Sequence, residues 1–143
     1  MDWKLEVVIA PVSDVERARA FYVETLGFTL DTDFAPSESF RVIQVTPPGS
    51  ACSIQFGRGM TDTPVGSVRN IYLVVTDLEA ARSRLLERGV AVGEIRHKTP
   101  VGAWDGSFAP ALDPARGDYA SFAGFSDPDG NSWVLQERGY RKA

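Results

Sequence analysis

Val12-Ser13-Asp14-Val15-Glu16-Arg17-Ala18-Arg19 returns 63 residues later, Asp14 becoming Asp77, as Val75-Thr76-Asp77-Leu78-Glu79-Ala80-Ala81-Arg82. Each copy follows an apolar run (7–10 and 71–74) and precedes a helical pattern that stops near a glycine, Gly27 or Gly89. A repeat of that length is a whole supersecondary unit, so the chain is built twice on one plan. In both copies the turn reads as a capping box, Ser13-x-x-Glu16 and Thr76-x-x-Glu79, in which a hydroxyl accepts from a backbone N–H and the glutamate reaches back. The first helix then carries Val15, Ala18, Tyr22 and Leu26 on one face.

Outward from the repeat, the first half reads β-α-β-β-β: strands over 5–10, 28–33, 40–46 and 51–56, a loop over 33–39 containing Pro36, and a turn at Pro47-Pro48-Gly49. The second half repeats the order, with strands over 70–75, 90–96, 119–125 and 132–136 and a turn over 127–131. One large departure, 98–118, separates its second and third strands. Such units cannot each bury a sheet face and a helix stripe alone; the natural solution is pairing, with helices outside. The expected fold is α+β: two βαβββ modules forming a curved mixed sheet around a central cavity. It is a single domain over 1–143, with module one about 4–58, a linker about 59–68 and module two about 69–138.

The chain is 43% apolar, with 19 acidic against 15 basic residues and a net charge of −4. That balance lacks the basic face of a nucleic-acid binder, and suits a cationic ligand as well as the ordinary soluble case. One cysteine, Cys52, allows no intrachain disulfide and fits a reducing compartment. The opening residues Met1-Asp2-Trp3-Lys4-Leu5-Glu6 are too polar for a secretory signal, and no apolar run approaches ~20 residues. The expectation is a cytoplasmic protein with no membrane or nucleic-acid partner.

Val12-Ser13-Asp14-x-Glu16-x-Ala18-x-Ala20-Phe21-Tyr22, followed by Leu26-Gly27-Phe28, resembles the first module of the vicinal oxygen chelate superfamily. Phe125-Ser126-Asp127-Pro128-Asp129-Gly130-Asn131-Ser132-Trp133-Val134-Leu135-Gln136-Glu137 is similar to the closing hairpin of its second module. The superfamily holds glyoxalase I, the extradiol dioxygenases, methylmalonyl-CoA epimerase, fosfomycin resistance enzymes and the bleomycin resistance proteins. The resemblance covers about 4–138 and implies the fold more sharply than the reaction, because one scaffold hosts unrelated activities. It also implies a homodimer.

Members of that superfamily usually hold a divalent metal through His, Glu or Gln side chains on the first and fourth strands of each module. Counting from the repeat places those positions at Val7, Gln55, Asn70 and Val134. Valine offers no donor, and two neutral amides supply neither the imidazoles nor the carboxylates that zinc, iron or manganese favour. No metal or other cofactor is expected. Glu137 lies three positions beyond Val134, on the opposite face by strand alternation.

Gln55 and Asn70 are then expected on the cavity side as hydrogen-bonding groups for a ligand, a water or each other, with Tyr72, Ser53 and Ser132 on the same side. Trp104 and Asp105 stand in the long 98–118 segment, where a binding loop or lid is a natural reading; Trp104 stacks on a ligand or merely anchors the loop. His97 is the one histidine and the sole candidate acid–base catalyst, with a surface or capping role as the plain alternative. The 127–131 stretch resembles a calcium loop, but its twelfth position is Arg138, so a turn is expected. The facing of Glu6, Arg41 and Gln44 stays open.

Three functions remain open. The first is a small-molecule-binding protein of the bleomycin-resistance type, sequestering an aromatic or cationic compound. The second is a metal-independent lyase or isomerase using His97. The third is a glyoxalase-like metalloenzyme with displaced ligands.

Overall fold

The computed structural model describes residues 1–142, in which nine strands and two α-helices follow the two-copy plan. The chain forms two compact units. One comprises Met1–Val68 with Asp127–Asn131, the other Arg69–Ser126 with Ser132 onward.

In the first unit, β1 (Val7–Ile9) pairs in parallel with β4 (Ser53–Arg58), which pairs antiparallel with β3 (Phe40–Thr46) and that with β2 (Thr29–Ser37). β2 runs through 33–37, which the sequence assigns to a loop. Pro36 is tolerated because β2 is an edge strand and the register shifts between Phe34 and Ser37. Helix α1 (Val15–Arg19) is capped by Asp14, whose carboxylate accepts from Arg17 N–H at 3.1 Å, not by the expected Ser13. Ser13 donates instead to Asp129, from its backbone N–H and its hydroxyl.

α1 widens into a π-helical stretch, Ala20–Thr25, where Leu26 N–H donates to the Phe21 carbonyl, and ends at Gly27 with φ +80°. Val15, Ala18 and Tyr22 are buried as the helical spacing predicts, whereas Leu26 is only half-buried. Tyr22 stacks on Phe56, centroids 5.3 Å apart, against Ile43, Val45 and Ile54. Full burial of a side chain such as Phe56 is worth about 2–3 kcal/mol, so this layer holds the helix on the sheet. The Tyr22 hydroxyl donates to buried Asp127 at 2.6 Å, and the Asp127 carboxylate also takes the N–H groups of Asp129 and Asn131 and the Asn131 amide. The 127–131 stretch is thus the expected turn, self-capped by Asp127, with Gly130 at φ +96°.

In the second unit, β5 (Ile71–Val75) pairs in parallel with β9 (Ser132–Glu137), β9 antiparallel with β8 (Ser121–Ser126), and β8 with β6 (Arg96–Thr99). Helix α2 (Leu78–Glu87) is again capped by the aspartate, Asp77, rather than by Thr76, and Gly89 follows at φ +83°. The strand expected over 90–96 is confined to its last residue. Residues 90–95 make only isolated bonds to the sheet, Gly93 N–H to Gly124 and Ala111 N–H to the Ile95 carbonyl, while Arg82 takes the carbonyls of Val92 and Gly93, and Val90 and Val92 owe their apolar pattern to burial. The 98–118 segment is also more regular than expected. It holds a short 3₁₀ turn (Val101–Ala103) and β7 (Ser107–Pro110), which pairs with β6 and makes a fifth, outermost strand ending in Pro110.

Glu137 closes this unit. Its fully buried carboxylate accepts from Leu78 N–H at the start of α2 and from two guanidinium nitrogens of Arg116, at 2.7–2.9 Å. The helix N-terminus and the cation together offset its desolvation. Arg116 is held protonated above its ordinary range first by Glu137, and it lies 3.5 Å over the Tyr140 ring. Glu137→Ala should therefore cost about 2–4 kcal/mol in urea unfolding, because it leaves the Leu78 N–H and the half-buried Arg116 without their buried acceptor. Glu79→Ala, which removes an exposed partner of the same arginine, should cost under about 1 kcal/mol. Equal losses would refute the central role of Glu137.

On the first sheet, hydrogen bonds from Arg41 hold the Asp33 carboxyl below the usual carboxylate range, with Arg19 assisting against desolvation. The folded value lies below the unfolded one, so the stabilisation is complete above about pH 4 and is lost as pH falls through the depressed folded value. The melting-temperature gap between the wild type and Asp33→Asn should hold steady from about pH 5 to 7 and close under acid. A gap that widens under acid would contradict this assignment.

Candidate functional site

The two parallel pairings share one register. Ile9 stands opposite Gln55 in the first unit and Tyr72 opposite Val134 in the second. Val7 pairs with Ser53, while Asn70, just before β5, donates its N–H to Ser132 Oγ at 2.8 Å. The correspondence counted along the sequence is therefore reproduced in hydrogen bonding. Because side chains alternate, each sheet has one face under its helix and one that no helix of its own unit covers.

On the uncovered face of the first sheet, Ser53 and Gln55 belong to a directed polar network. Thr46 Oγ1 donates to Asp31, so Ser53 Oγ, 2.7 Å away, donates to Thr46. In parallel, Gln55 Nε2 donates to Gln44 Oε1 at 2.9 Å, and Gln44 Nε2 reaches Asp31 at 3.4 Å. Both branches run toward the Asp31 carboxylate, leaving the Gln55 carbonyl and the Ser53 lone pairs as acceptors. Gln44 thus faces away from α1, while Arg41 faces it, paired with Glu16 and Asp33. Elsewhere in the unit a cleft of about 180 Å³ opens among Ile9, Pro11, Val15, Met60 and Val65, and no expected site residue lines it.

The uncovered face of the second sheet is aromatic. Tyr72 meets Phe122 edge-on at 5.9 Å, Phe122 meets Phe108 at 5.7 Å, and Phe108 meets Trp104 at 5.6 Å, an unbroken row from β5 to β7. Phe122 is buried, but Tyr72 is 52% exposed, Trp104 43% and Phe108 36%. Val134 lies on the same face beside Tyr72, and Ser132 is its half-buried neighbour two residues back. Arg96 and Lys98, which the sequence reading passed over, lie over this row: Arg96 Cζ is 4.0 Å from the Phe108 centroid, and Lys98 Nζ is 4.7 Å from that of Trp104 and 5.6 Å from that of Phe122. Phe108 and Phe122 were missed as well. The alternation Arg96-x-Lys98 was their one signal, unreadable without the true limits of β6.

Trp104 both anchors the loop, donating Nε1–H to the Ser107 carbonyl at 2.7 Å, and offers a ring face. Asp105 is engaged by Ser107, whose hydrogen bonds lower its carboxyl below the usual range. Asn70 is exposed, with φ +58°. His97 sits inside β6 rather than at a strand end, and alternation turns it away from the face of Arg96 and Lys98. Its Nδ1 lies 2.7 Å from the Ala111 carbonyl, an acceptor that fixes the proton on that nitrogen. Cys52 is half-buried, its thiol near the Ser53 carbonyl.

At the positions the superfamily uses for a divalent metal, the donor chemistry does not fit. Val7 and Val134 have no donor atom, and Gln55 and Asn70 are neutral amides, beside Gln44 and Ser132 respectively, that supply neither an imidazole nor a carboxylate. Among the described residues no group of three or more His, Cys, Asp and Glu side chains is gathered as a metal site would require.

Comparison with known proteins agrees with this fold. The crystal structure of TnmS3, an antibiotic binding protein from Streptomyces sp. CB03234, is 35% identical, covers 95% of this chain and 96% of its own, and superposes with a TM-score of 0.71. A glyoxalase/bleomycin resistance protein from the same organism is 36% identical over 94% of this chain and 100% of its own, TM-score 0.69. A superfamily member from Sphaerobacter thermophilus DSM 20745 is 28% identical over 96% and 98%, TM-score 0.70. Comparison with curated proteins gives no match. The family model of the Glyoxalase/Bleomycin resistance protein/Dioxygenase superfamily matches residues 4–135, and the chain belongs to that superfamily.

Proposed function

We propose that this protein binds and sequesters an aromatic small molecule on the uncovered face of its second sheet, with no metal at the superfamily's ligand positions. The observation that carries the reading is the row Tyr72–Phe122–Phe108–Trp104, three of whose rings stand substantially exposed. A contiguous aromatic surface of this kind is the usual mark of a ligand or partner site, and each ring offers a flat face at low entropic cost. TnmS3, an antibiotic binding protein, supports the same class. Asn70 and Ser132 would serve as polar groups beside Tyr72, while on the first sheet Ser53 and Gln55 present acceptors of their own.

Catalysis by His97 is less well supported, because its ring is directed away from the aromatic row and one nitrogen is already engaged. A homodimer and a cytoplasmic location belong to the same proposal, on the strength of the superfamily resemblance and the lone cysteine.

A thermal-shift screen of planar aromatic antibiotics should yield ligands that raise the melting temperature and are recovered chemically unchanged. Tyr72→Ala and Trp104→Ala should each weaken the best hit by about ten-fold, and Tyr72→Ala, at a half-exposed side chain, should lower the unliganded melting temperature less than Trp104→Ala, which also removes the loop's bond to Ser107. Turnover abolished by His97→Ala, or a stoichiometric transition metal lost on Gln55→Ala, would overturn the reading.

A further inference from the structure

The two cations on the aromatic face are the least expected feature of a chain whose net charge is −4. Arg96 and Lys98 alternate along β6 and so project from one face, over Phe108 and over Trp104 and Phe122 respectively. Among the described residues neither has a carboxylate within ion-pair distance, although Arg19, Arg41, Arg82 and Arg116 all do. Asp105, an acid on the adjoining loop, has its carboxylate turned to Ser107. Two uncompensated positive charges thus stand against an aromatic floor, where the ring quadrupoles orient them and little water-exposed counter-charge competes.

Both cations stand on β6, the counterpart of β2, and face Phe108 of β7 and Trp104, which belong to the part of the second unit with no counterpart in the first. The four-stranded sheet ends at β2, and the five-stranded one continues from β6 to β7. What distinguishes the second copy is therefore an aromatic wall bearing two free cations.

We propose that this hairpin selects a planar aromatic molecule carrying an ionised acid, a carboxylate or an acidic phenolate. The rings would lie along Tyr72, Phe108 and Trp104, and the anion would be taken by Arg96 and Lys98. The inference rests on the aromatic-binding reading above and adds the charge of the ligand. It reverses the expectation from net charge, since the local charges of a site outweigh a distant, salt-screened excess of −4. Arg96 can offer a planar pair of N–H donors to a carboxylate, and Lys98 a point charge.

The test uses three anthracene probes of similar shape: 9-anthracenecarboxylate, neutral 9-anthracenemethanol and cationic 9-(aminomethyl)anthracene. Each is titrated by fluorescence into the full-length protein at low and at moderate salt. The carboxylate should bind about ten-fold more tightly than the neutral probe, and the ammonium probe most weakly, with the preference narrowing as salt rises. Lys98→Gln and Arg96→Gln should each bring the ratio of carboxylate to neutral-probe affinity toward one. Lys142→Gln makes the same change in net charge at an exposed position away from the sheet and should leave all three affinities alone. Equal binding of the three probes would overturn the acid selectivity while leaving the aromatic-binding function standing. Binding of none of them would count against both. Tighter binding of the ammonium probe would show that net charge, not the hairpin, sets the preference.

Discussion

The register of the two parallel strand pairs is the constraint on which the rest of the structure depends. With Ile9 set beside Gln55 and Tyr72 beside Val134, a period of two decides the fate of every other side chain on β4 and β9. Ile54 and Phe56 turn under α1, and Trp133, Leu135 and Glu137 are buried on the opposite side from Val134. A slip of one residue would carry the buried Glu137 carboxylate to the aromatic face and leave Arg116 and Leu78 N–H without it. The cost of that exchange is what holds the register. Tyr72 and its neighbours are kept on the uncovered face partly by an ion pair they never touch.

From this common scaffold the two copies diverge in chemistry. The first sheet's uncovered face carries amides and hydroxyls whose hydrogen bonds run in two branches toward Asp31, leaving acceptors on Gln55 and Ser53. The second carries rings and cations, and its fifth strand lengthens the aromatic surface. Duplication followed by such divergence lets one fold offer two unlike surfaces without altering either helix. In both units an aspartate caps the helix and a glycine at positive φ follows it, although α1 widens into a π-helical stretch and α2 does not.

Much of this was legible in the sequence because it depends on local rules. The 63-residue spacing gave the two-copy plan, and the correspondence of Gln55 with Val134 survives in the register. The misplaced features have specific causes. Asp14 and Asp77 cap the helices because each helix starts one residue later than the capping boxes imply, so the N–H groups to be satisfied are those of Arg17 and Ala80, three residues beyond the aspartates. Residues 90–95 look like a strand because Val90 and Val92 are buried, but Arg82 claims their neighbouring carbonyls, a long-range contact that no pattern discloses. With β6 at Arg96–Thr99 rather than over 90–96, alternation puts Arg96 and Lys98 on the aromatic side and His97 on the other. That single shift hid half of the candidate site. β7 escaped notice because glycine, proline and aspartate surround four residues, Ser107–Pro110, whose strand character comes only from pairing with β6.

Pro36 and Pro110 have a consequence for the solubility of the whole molecule. Each stands in the outermost strand of its sheet, β2 in one and β7 in the other, and each removes a backbone N–H from a free edge. An edge that lacks a donor is a poor template for another strand, so cross-chain ladders and fibril growth are discouraged on those two sides. A protein that keeps a broad sticky aromatic face open for small molecules is especially vulnerable to such misassembly. The two prolines guard against it without occupying any of the surface that a ligand would use.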